Sequence, residues 1–190
     1  MSYRPICDTW ILARSKVKYY GAYPAGFLHR ARALLGVGPS GAVLHICAGK
    51  VRDYPYRGFG PNDRTLDLDP ACNPDFLRDC RETLPFRTPP LQIMVDGQER
   101  DMPPTLWDAV LIDRPYTPDD ADHYVPGTGA LPPLNDLLKR ALDVVQVGHR
   151  VGVLDYLVPH PGKRASFVAL IAVSTGFNNR IRAYSVFERL

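Results

Sequence analysis

The sequence has 190 residues, a length typical of one domain, and we predict a single domain that spans residues 1–190. Hydrophobic residues make up 45% of the chain and charged residues 23%, which is the composition of a globular rather than a disordered protein. No apolar run approaches the roughly 18 residues of a membrane-spanning helix, so we expect no membrane partner. The N-terminal residues lack the apolar core of a signal peptide, and we therefore expect an intracellular, cytoplasmic protein.

The chain carries a net charge of +3 and contains four cysteines. This mild positive charge is compatible with a polyanionic partner but does not require one. The cysteines form no Cys-x-x-Cys pair and are too few for a disulfide scaffold, so we expect free thiols. Because the histidines and cysteines are scattered along the chain, we expect no metal site.

Short runs of β-branched residues alternate with helical segments, a pattern typical of an α/β fold with a mostly parallel sheet. The predicted helices and strands are, in chain order, a helix at 25–35, strands at 41–47, 65–70, 74–79 and 107–113, a helix at 134–145 and a strand at 150–157. The apolar residues of both helices recur at the spacing of one helical face, which predicts that each helix packs against the sheet.

Two antiparallel hairpins are expected in addition. Residues 167–174 and 180–188 predict a C-terminal hairpin, with its turn at 176–179. A second hairpin is predicted at 91–102, because Asp96-Gly97 is the favoured pair for a two-residue type I′ turn. This second hairpin would lie in an insertion at 88–104, where an α/β pattern leads us to expect a helix.

The N-terminal segment combines basic and aromatic side chains, among them Arg4, Trp10, Arg14 and Tyr19. Such a segment fits phosphate contacts combined with base stacking on a nucleic acid. It fits equally well a solvated rim that covers the sheet, and the sequence leaves both interpretations open.

Residues 36–41 match Gly-x-Gly-x-x-Gly, the pattern of a dinucleotide-binding loop. That fingerprint requires a strand before the glycines and a helix after them. Here the glycines follow a predicted helix and precede a predicted strand, so we interpret the match as an ordinary loop.

Small and acidic residues stand at the carboxyl ends of the predicted strands, where open α/β sheets bind their ligands. A small residue lets a ligand approach the backbone. A carboxylate can accept hydrogen bonds from both hydroxyls of a ribose, and an aspartate beside a backbone N–H can bind the edge of an adenine. The set therefore predicts a site for an adenosine-containing cofactor. Its members are Ala48, Gly49, Asp67, Asp79, Cys80 and Asp113.

Six segments extend this pattern along most of the chain. They are Tyr-Pro-Ala-Gly-Phe at 23–27, Val-Leu-His-Ile-Cys-Ala-Gly at 43–49, Asp-Leu-Asp-Pro at 67–70, Asp-Cys-Arg-Glu-Thr-Leu-Pro at 79–85, the strand and turn at 107–116, and Val-Gly-His-Arg-Val at 147–151. In this order they resemble the motifs of the class I S-adenosylmethionine-dependent methyltransferases. More narrowly, they are similar to the small phage and bacterial DNA methyltransferases that modify exocyclic amino groups, which is compatible with a phage-encoded protein.

The resemblance implies a Rossmann-like α/β fold with a mostly parallel sheet and a C-terminal antiparallel hairpin. It also implies S-adenosylmethionine as cofactor, with Asp67 holding the ribose and Asp79 and the Cys80 backbone facing the adenine. The full set of cofactor-binding residues that it implies is Tyr23, Pro24, His45, Cys47, Ala48, Gly49, Asp67, Asp79 and Cys80.

Residues 113–116, Asp113-Arg114-Pro115-Tyr116, are similar to the family's catalytic Asp-Pro-Pro-Tyr motif. An exocyclic amine is a poor nucleophile because its lone pair is delocalised into the ring. The Asp113 carboxylate and the Arg114 carbonyl could accept its two N–H bonds, and Tyr116 could stack on the base. Pro115 would stiffen the turn that aims these groups. A base within a duplex would have to be flipped out to reach them.

The resemblance is incomplete in two places. His45 replaces an acid, and Lys50 and Val51 replace residues of a glycine-rich turn. Arg114 replaces the first proline of the catalytic motif, which suggests either a phosphate contact or an acceptor other than a DNA base. Sequence recognition would have to come from loops, since the chain has no room for a large recognition domain. The candidate loops are 50–64, 91–102 and 117–133.

We therefore expect an S-adenosylmethionine-dependent enzyme that methylates adenine N6 or cytosine N4 of DNA. One alternative is a methyltransferase that acts on RNA or on a small molecule. The other is a catalytically silent methyltransferase fold that serves as a binding or structural subunit.

Overall fold

The computed structural model describes residues 4–17, 19, 22–89, 91–95, 98–124, 126, 131–175 and 180–190. Within these residues the chain forms ten strands, three α-helices and two short 3-10 helices, at Val51–Asp53 and Pro70–Cys72. The strands are β1 Ile6–Ile11, β2 Val43–Ile46, β3 Arg64–Asp67, β4 Phe76–Leu77, β5 Leu91–Val95, β6 Gln98–Met102, β7 Trp107–Ile112, β8 Val145–Asp155, β9 Ala165–Ser174 and β10 Ile181–Arg189. The helices are α1 Phe27–Leu34, α2 Pro118–Tyr124 and α3 Leu134–Val144.

Eight strands form one mixed sheet in the order β1-β9-β10-β8-β7-β2-β3-β4. Every neighbouring pair is parallel except the two pairs that involve β10, which runs antiparallel to β8 and β9. β3 and β4 lie on one side of β2, whereas β7 lies on the other. The sheet therefore has a topological switch point between β2 and β7, and its carboxyl edge there is where a ligand site is expected.

The sheet buries one hydrophobic cluster on each face. On one face α1 contributes Phe27 and Ala31, which belong to the same cluster as Leu111 and Tyr184. On the other face α3 supplies an apolar stripe that packs on β7 and β8. The residues of that stripe are Leu134, Leu137, Leu138, Ala141 and Leu142. The predicted α/β architecture with a mostly parallel sheet is confirmed, and α1 and α3 cover opposite faces of that sheet.

Both predicted hairpins are present. β5 pairs antiparallel with β6 as a separate two-stranded sheet, so this insertion replaces a helix as expected. β9 pairs antiparallel with β10 as the C-terminal hairpin. The predicted turns at Asp96-Gly97 and at 176–179 lie outside the described residues. None of the helices in the described part of the chain is long and apolar enough to cross a membrane.

The N-terminal segment contains a strand that the sequence analysis missed. β1 pairs parallel with β9, in a register that joins Ile6 to Ala169, and it forms one edge of the sheet. Trp10 is buried in the core, 6.2 Å from the ring of Phe27, and so it is not available to stack on a base. β1 lacks a clear alternation of buried and exposed residues, because Trp10 is its one buried residue.

Buried charges join α1 to the start of the sheet. Asp63, which is only 1% exposed, accepts hydrogen bonds from Arg32 Nη1 at 3.0 and 2.9 Å and from the Val43 amide at 3.0 Å. It also accepts hydrogen bonds from His45 Nε2 and from the Gly60 amide. One carboxylate therefore connects α1, β2 and the loop that precedes β3.

Replacing Asp63 with asparagine should lower the free energy of unfolding by about 3–5 kcal/mol, because it leaves the buried Arg32 without its counter-charge. Urea unfolding followed by circular dichroism measures the change. Asp136→Asn is the matched control, since Asp136 pairs with Lys139 on the surface and its loss should cost less than about 0.5 kcal/mol.

The stability difference between wild type and Asp63→Asn should depend on pH. Burial alone would raise the pKa of Asp63, but hydrogen bonds from His45, Gly60 and Arg32 outweigh it and leave that pKa below its usual value. The stabilisation is therefore complete above the unfolded-state pKa of about 3.9 and is lost as the pH falls through the lower folded-state pKa. The difference in stability between wild type and Asp63→Asn should be larger at pH 6 than at pH 3; an equal difference at both would contradict this account.

Candidate active site

A cavity of about 350 Å³ opens at the carboxyl edge of the sheet, beside the switch point between β2 and β7. Its volume lies within the range of roughly 300–1,000 Å³ that is usual for small-molecule sites. The loops after β2, β3, β4 and β7, the N-terminal segment and the start of β10 form its wall. The sequence-predicted residues that line it are Tyr23, Pro24, Cys47, Ala48, Gly49, Asp67, Asp79, Cys80, Asp113, Arg114, Pro115 and Tyr116.

His45 is the predicted site residue that the structure places elsewhere. Its side chain is 2% exposed, donates a hydrogen bond to Asp63 and packs against Phe59, with the two ring centroids 5.2 Å apart. Successive side chains of a strand point to opposite faces, and His45 shares the α1 face with Val43. The cofactor role assigned to His45 is therefore corrected to a buried structural role beneath α1.

The turn after β2 is built around two left-handed residues. Cys47 has φ 55° and Gly49 has φ 51°. A non-glycine residue in this conformation costs on the order of 1 kcal/mol, and such strain is concentrated at ligand sites. A Cβ at Gly49 would meet no atom within 4 Å, so the backbone at this position is open on one side. The turn therefore exposes its backbone to the cavity with a single glycine, Gly49, in residues 47–51.

Asp67, at the end of β3, is oriented by this turn. Its Oδ2 accepts a hydrogen bond from the Gly49 amide at 2.7 Å, and its Oδ1 accepts one from the Asp69 amide at 3.0 Å. Each carboxylate oxygen has two acceptor positions, so both retain capacity for a ligand hydroxyl. The carboxylate is thus held in place at the cavity before any ligand binds.

Asp79 and Cys80 form the neighbouring wall. Asp79 accepts hydrogen bonds from the Arg81 amide and from Arg81 Nε, both at 2.8 Å. The hydrogen bond from the Arg81 side chain lowers the pKa of Asp79, which keeps the carboxylate ionised. Arg140 of α3 donates to the Cys80 carbonyl at 3.3 Å and so ties this turn to the core helix.

The two cavity-lining thiols lie side by side. The Sγ atoms of Cys47 and Cys80 are 3.6 Å apart, and the described cysteines are free. The hydrogen bond with Cys80, together with burial, raises the pKa of Cys47 well above its usual value. The Cys47 side chain therefore acts here as a small, uncharged packing group.

Asp113 follows β7 and forms the acidic centre of the cavity. Its Oδ1 accepts a hydrogen bond from the Tyr116 hydroxyl at 2.6 Å, and that hydroxyl accepts one from Arg182 Nη1 at 3.3 Å. Burial raises the pKa of Asp113 to about 7, against the opposing influence of Arg182 and Tyr116. The carboxyl group can therefore exist in both protonation states near neutral pH, as a general acid or base requires.

Tyr116 is held by an aromatic neighbour as well. The Tyr116 and Tyr156 rings lie with their centroids 4.7 Å apart and their planes at 50°. Tyr156 follows β8 and also lines the cavity. The Tyr116 ring is therefore fixed at its edge by hydrogen bonds and at one side by a second aromatic ring.

Arg114 does not extend toward a phosphate. It is 6% exposed, and its Nε lies 2.8 Å from Oδ2 of the buried Asp155. Its Nη1 donates to the Pro132 carbonyl at 3.2 Å. The phosphate contact considered for this side chain is therefore wrong, because its charge is neutralised within the protein.

Arg182 is a site residue that the sequence analysis did not assign. Arg182 is the second residue of β10, and its strand returns antiparallel between β8 and β9. This direction puts the start of β10 at the same edge as the ends of the parallel strands. A hairpin pattern gives no sign of which sheet edge its first residues reach.

Two buried hydroxyls on the cavity wall lack hydrogen-bond partners within the described part of the chain. They are Tyr23 Oη and Ser15 Oγ. An unpaired buried polar group costs about 1–3 kcal/mol, so the wall favours a ligand with polar atoms. The described residues contain no cluster of three or more histidine, cysteine or acidic side chains arranged for a metal ion.

No protein-family model matches this sequence, and no curated protein is significantly similar to it. Among solved structures, the chain is similar to the crystal structure of TrmN from Thermus thermophilus, with a TM-score of 0.59 and 18% sequence identity over 90% of this chain and 50% of that chain. It is also similar to an rRNA methylase from Streptococcus thermophilus, with a TM-score of 0.50 and 10% identity over 89% of this chain and 99% of that chain.

The chain spans about half the length of the Thermus thermophilus protein. At these identities the likeness concerns the fold alone, and it shows a Rossmann-like α/β architecture. The expectation of a Rossmann-like α/β fold is thereby confirmed, and the described residues contain three α-helices where the sequence predicted two.

The Arg114–Asp155 pair generates a stability prediction. Asp155→Asn should lower the free energy of unfolding by about 3–5 kcal/mol, because a buried guanidinium loses its counter-charge. The double variant Arg114→Met/Asp155→Leu should recover most of this loss, since it buries no charge. Chemical unfolding of wild type and the two variants tests the pair, and a double variant no more stable than Asp155→Asn would contradict the prediction.

Proposed function

We propose that this protein is an S-adenosylmethionine-dependent methyltransferase whose acceptor is an exocyclic amino group of a nucleic-acid base. The observation that carries the proposal is that Asp113, with a pKa of about 7, faces the same cavity as the backbone-oriented Asp67. One carboxylate suits proton transfer with an acceptor, and the other suits a sugar diol. Both belong to one site at the topological switch point.

The cavity wall offers a fitting group for each polar part of the cofactor. Asp67 would accept hydrogen bonds from the ribose hydroxyls, and Asp79 with the Cys80 backbone would face the adenine. Gly49 leaves its side of the backbone open, and the unpaired Tyr23 hydroxyl is available as a polar partner. When bound, S-adenosylmethionine supplies an electrophilic methyl group on a sulfonium centre.

The acceptor side of the chemistry rests on Asp113. A carboxylate that accepts an amine N–H increases the electron density on the nitrogen and opposes its delocalisation into the ring. Methylation of an amine releases one proton, and a carboxylate with a pKa near 7 can take up that proton. The Tyr116–Tyr156 pair provides an aromatic surface next to Asp113 on which a base can rest.

A nucleic-acid acceptor fits the charge of the cavity. Phosphates are bound mainly by basic side chains, whereas base contacts select the target. Basic residues from three different loops line the cavity, namely Arg14, Lys50 and Arg78. The name of the Streptococcus thermophilus neighbour indicates that it acts on RNA. We propose DNA adenine N6 or cytosine N4 as the target, with RNA as the competing acceptor.

The acceptor is identified by a transfer assay with methyl-tritiated S-adenosylmethionine. Single-stranded DNA, duplex DNA, RNA and free nucleosides are offered in parallel, and the labelled nucleoside is then identified by mass spectrometry. N6-methyldeoxyadenosine or N4-methyldeoxycytidine supports the DNA proposal, and a labelled ribonucleoside moves the acceptor to RNA. Cofactor binding without transfer to any acceptor would favour a silent fold.

Asp113→Asn should reduce methyl transfer by at least 100-fold, because the amide retains the shape of the side chain but cannot accept a proton at neutral pH. Its affinity for S-adenosylhomocysteine should stay within about twofold of wild type, as measured by calorimetry. Asp119→Asn is the control, since Asp119 is an exposed acid on α2 and does not line the cavity. Wild-type activity in the Asp113→Asn variant would remove Asp113 from the mechanism.

Asp67→Ala should weaken cofactor binding by about 10- to 100-fold, because hydrogen bonds to a charged group contribute about 1.5–3 kcal/mol. Calorimetric titration with S-adenosylhomocysteine measures this change without requiring an acceptor. Asp69→Asn serves as the control in the same loop, because the Asp69 side chain caps the turn at Ala71 and lies outside the cavity wall. If both variants bind as wild type does, the ribose site lies elsewhere.

A further inference from the structure

We propose that Arg182 is a positioning residue, which acts through the Tyr116 hydroxyl to fix how Asp113 presents its carboxylate to the acceptor. This inference rests on the proposed function and adds a residue from β10 to the site. It is carried by a continuous chain of hydrogen bonds from a residue of the central sheet to the acidic centre of the cavity.

The geometry defines a chain of three groups. Arg182 Nη1 donates to the Tyr116 hydroxyl at 3.3 Å, and this hydroxyl donates to Asp113 Oδ1 at 2.6 Å. The tyrosine oxygen is thus donor and acceptor at once, as a hydroxyl allows. Donation by a cation polarises the O–H bond and strengthens the hydrogen bond that follows it.

The backbone of Arg182 is anchored in the sheet. Arg182 pairs with Val173 of β9, and the following residue, Ala183, pairs with Asp155 of β8. β10 therefore has a hydrogen-bonded strand on each side where it faces the cavity. A guanidinium carried by such a strand can hold Tyr116 in one position before an acceptor arrives, which is the condition for efficient positioning.

Arg114, which follows Asp113 in the sequence, forms its ion pair with a different carboxylate. Arg114 forms its buried ion pair with Asp155, so its charge is balanced within the protein. Arg182 instead interacts with Asp113, Tyr116 and Tyr156. The departure of this chain from the Asp-Pro-Pro-Tyr pattern is therefore accommodated by Asp155, and the cation that faces the carboxyl group comes from β10.

Several groups around Asp113 influence its ionisation. Arg182 on β10, Tyr116 in the same turn and Asp155 at the end of β8 shift its pKa. Tyr23 in the N-terminal segment and Cys47 after β2 also face it, and the Asp113 charge contributes to raising the pKa of each of these two groups. Burial raises the pKa of Asp113. Arg182 and Tyr116 lower that pKa, whereas Asp155 raises it further. Loss of the Arg182 cation should therefore move the Asp113 titration to higher pH.

The first test reads Asp113 directly and needs neither cofactor nor acceptor. Carboxyl carbon NMR follows its titration in wild type, Arg182→Met and Arg182→Lys. We expect the midpoint to rise in Arg182→Met and to rise less in Arg182→Lys, which keeps a charge but lacks the planar fork. Arg164→Met, which breaks only an exposed ion pair with Asp143, should leave it unchanged. An unmoved midpoint in Arg182→Met overturns the proposal.

The second test asks whether the effect passes through Tyr116. We expect Arg182→Met to lower kcat about 10- to 100-fold and to shift the acidic limb of the kcat profile to higher pH, with cofactor affinity within twofold of wild type. In a Tyr116→Phe background, the same substitution should change kcat less than threefold, because the connecting hydroxyl is already absent. Fully multiplicative losses would overturn the pathway through Tyr116.

The two tests separate this inference from the proposed function. A shifted Asp113 titration together with active wild-type enzyme and a non-multiplicative double variant supports both. If the wild-type enzyme is active but the titration midpoint of Asp113 does not change in Arg182→Met, this inference alone is rejected. A shifted titration in a protein that methylates no acceptor rejects the proposed function and, with it, the positioning role.

Discussion

The arrangement of this protein depends on one buried carboxylate, that of Asp63. Two backbone amides, a guanidinium and an imidazole donate hydrogen bonds to it, so every acceptor position of the group is used. Because its donors come from α1, β2 and the loop before β3, the carboxylate sets how the first helix sits on the sheet. The position of β2 in turn decides where the turn at Cys47 and Gly49 meets the cavity.

A second buried pair follows the same physical logic on the β7 side of the switch point. Arg114 leaves the end of β7 and meets Asp155 at the end of β8. A buried charge without a partner is strongly destabilising, so each of these pairs restricts the backbone on both of its sides. The Arg114–Asp155 pair thereby joins the turn after β7 to the end of β8, two segments that contribute residues to the cavity wall.

The sheet core could be predicted from the sequence because its parallel strands are short, apolar runs between recognisable turns. The strands at 43–46, 64–67 and 107–112 and both hairpins were predictable for this reason. The cavity position followed from the rule that ligands bind at the carboxyl edge of such a sheet. His45 was predicted at the cavity because it occupies the place of an acid in the resembled motif, whereas the structure puts its side chain on the α1 face beside Asp63.

The remaining differences come from contacts between distant segments. β1 has one buried residue, Trp10, and becomes a strand because β9 offers it an open edge. Arg182 resembles a surface charge on a hairpin until the strand order shows that β10 lies beside β8. Tertiary pairing of this kind outweighs local propensity, and a single sequence contains no signal for it.

The strand order also constrains how the molecule folds. β1 and β9 are neighbours in the sheet although their register partners, such as residues 6 and 169, lie far apart in the sequence. Arg182 is likewise distant in sequence from Tyr116, the residue that connects it to Asp113. During synthesis β1 emerges long before the edge it pairs with, and the acidic centre stays unfinished until β10 is inserted between β8 and β9. Such long-range pairings give a high contact order, which slows folding. The cavity therefore forms late, as a product of the completed sheet rather than of any local unit.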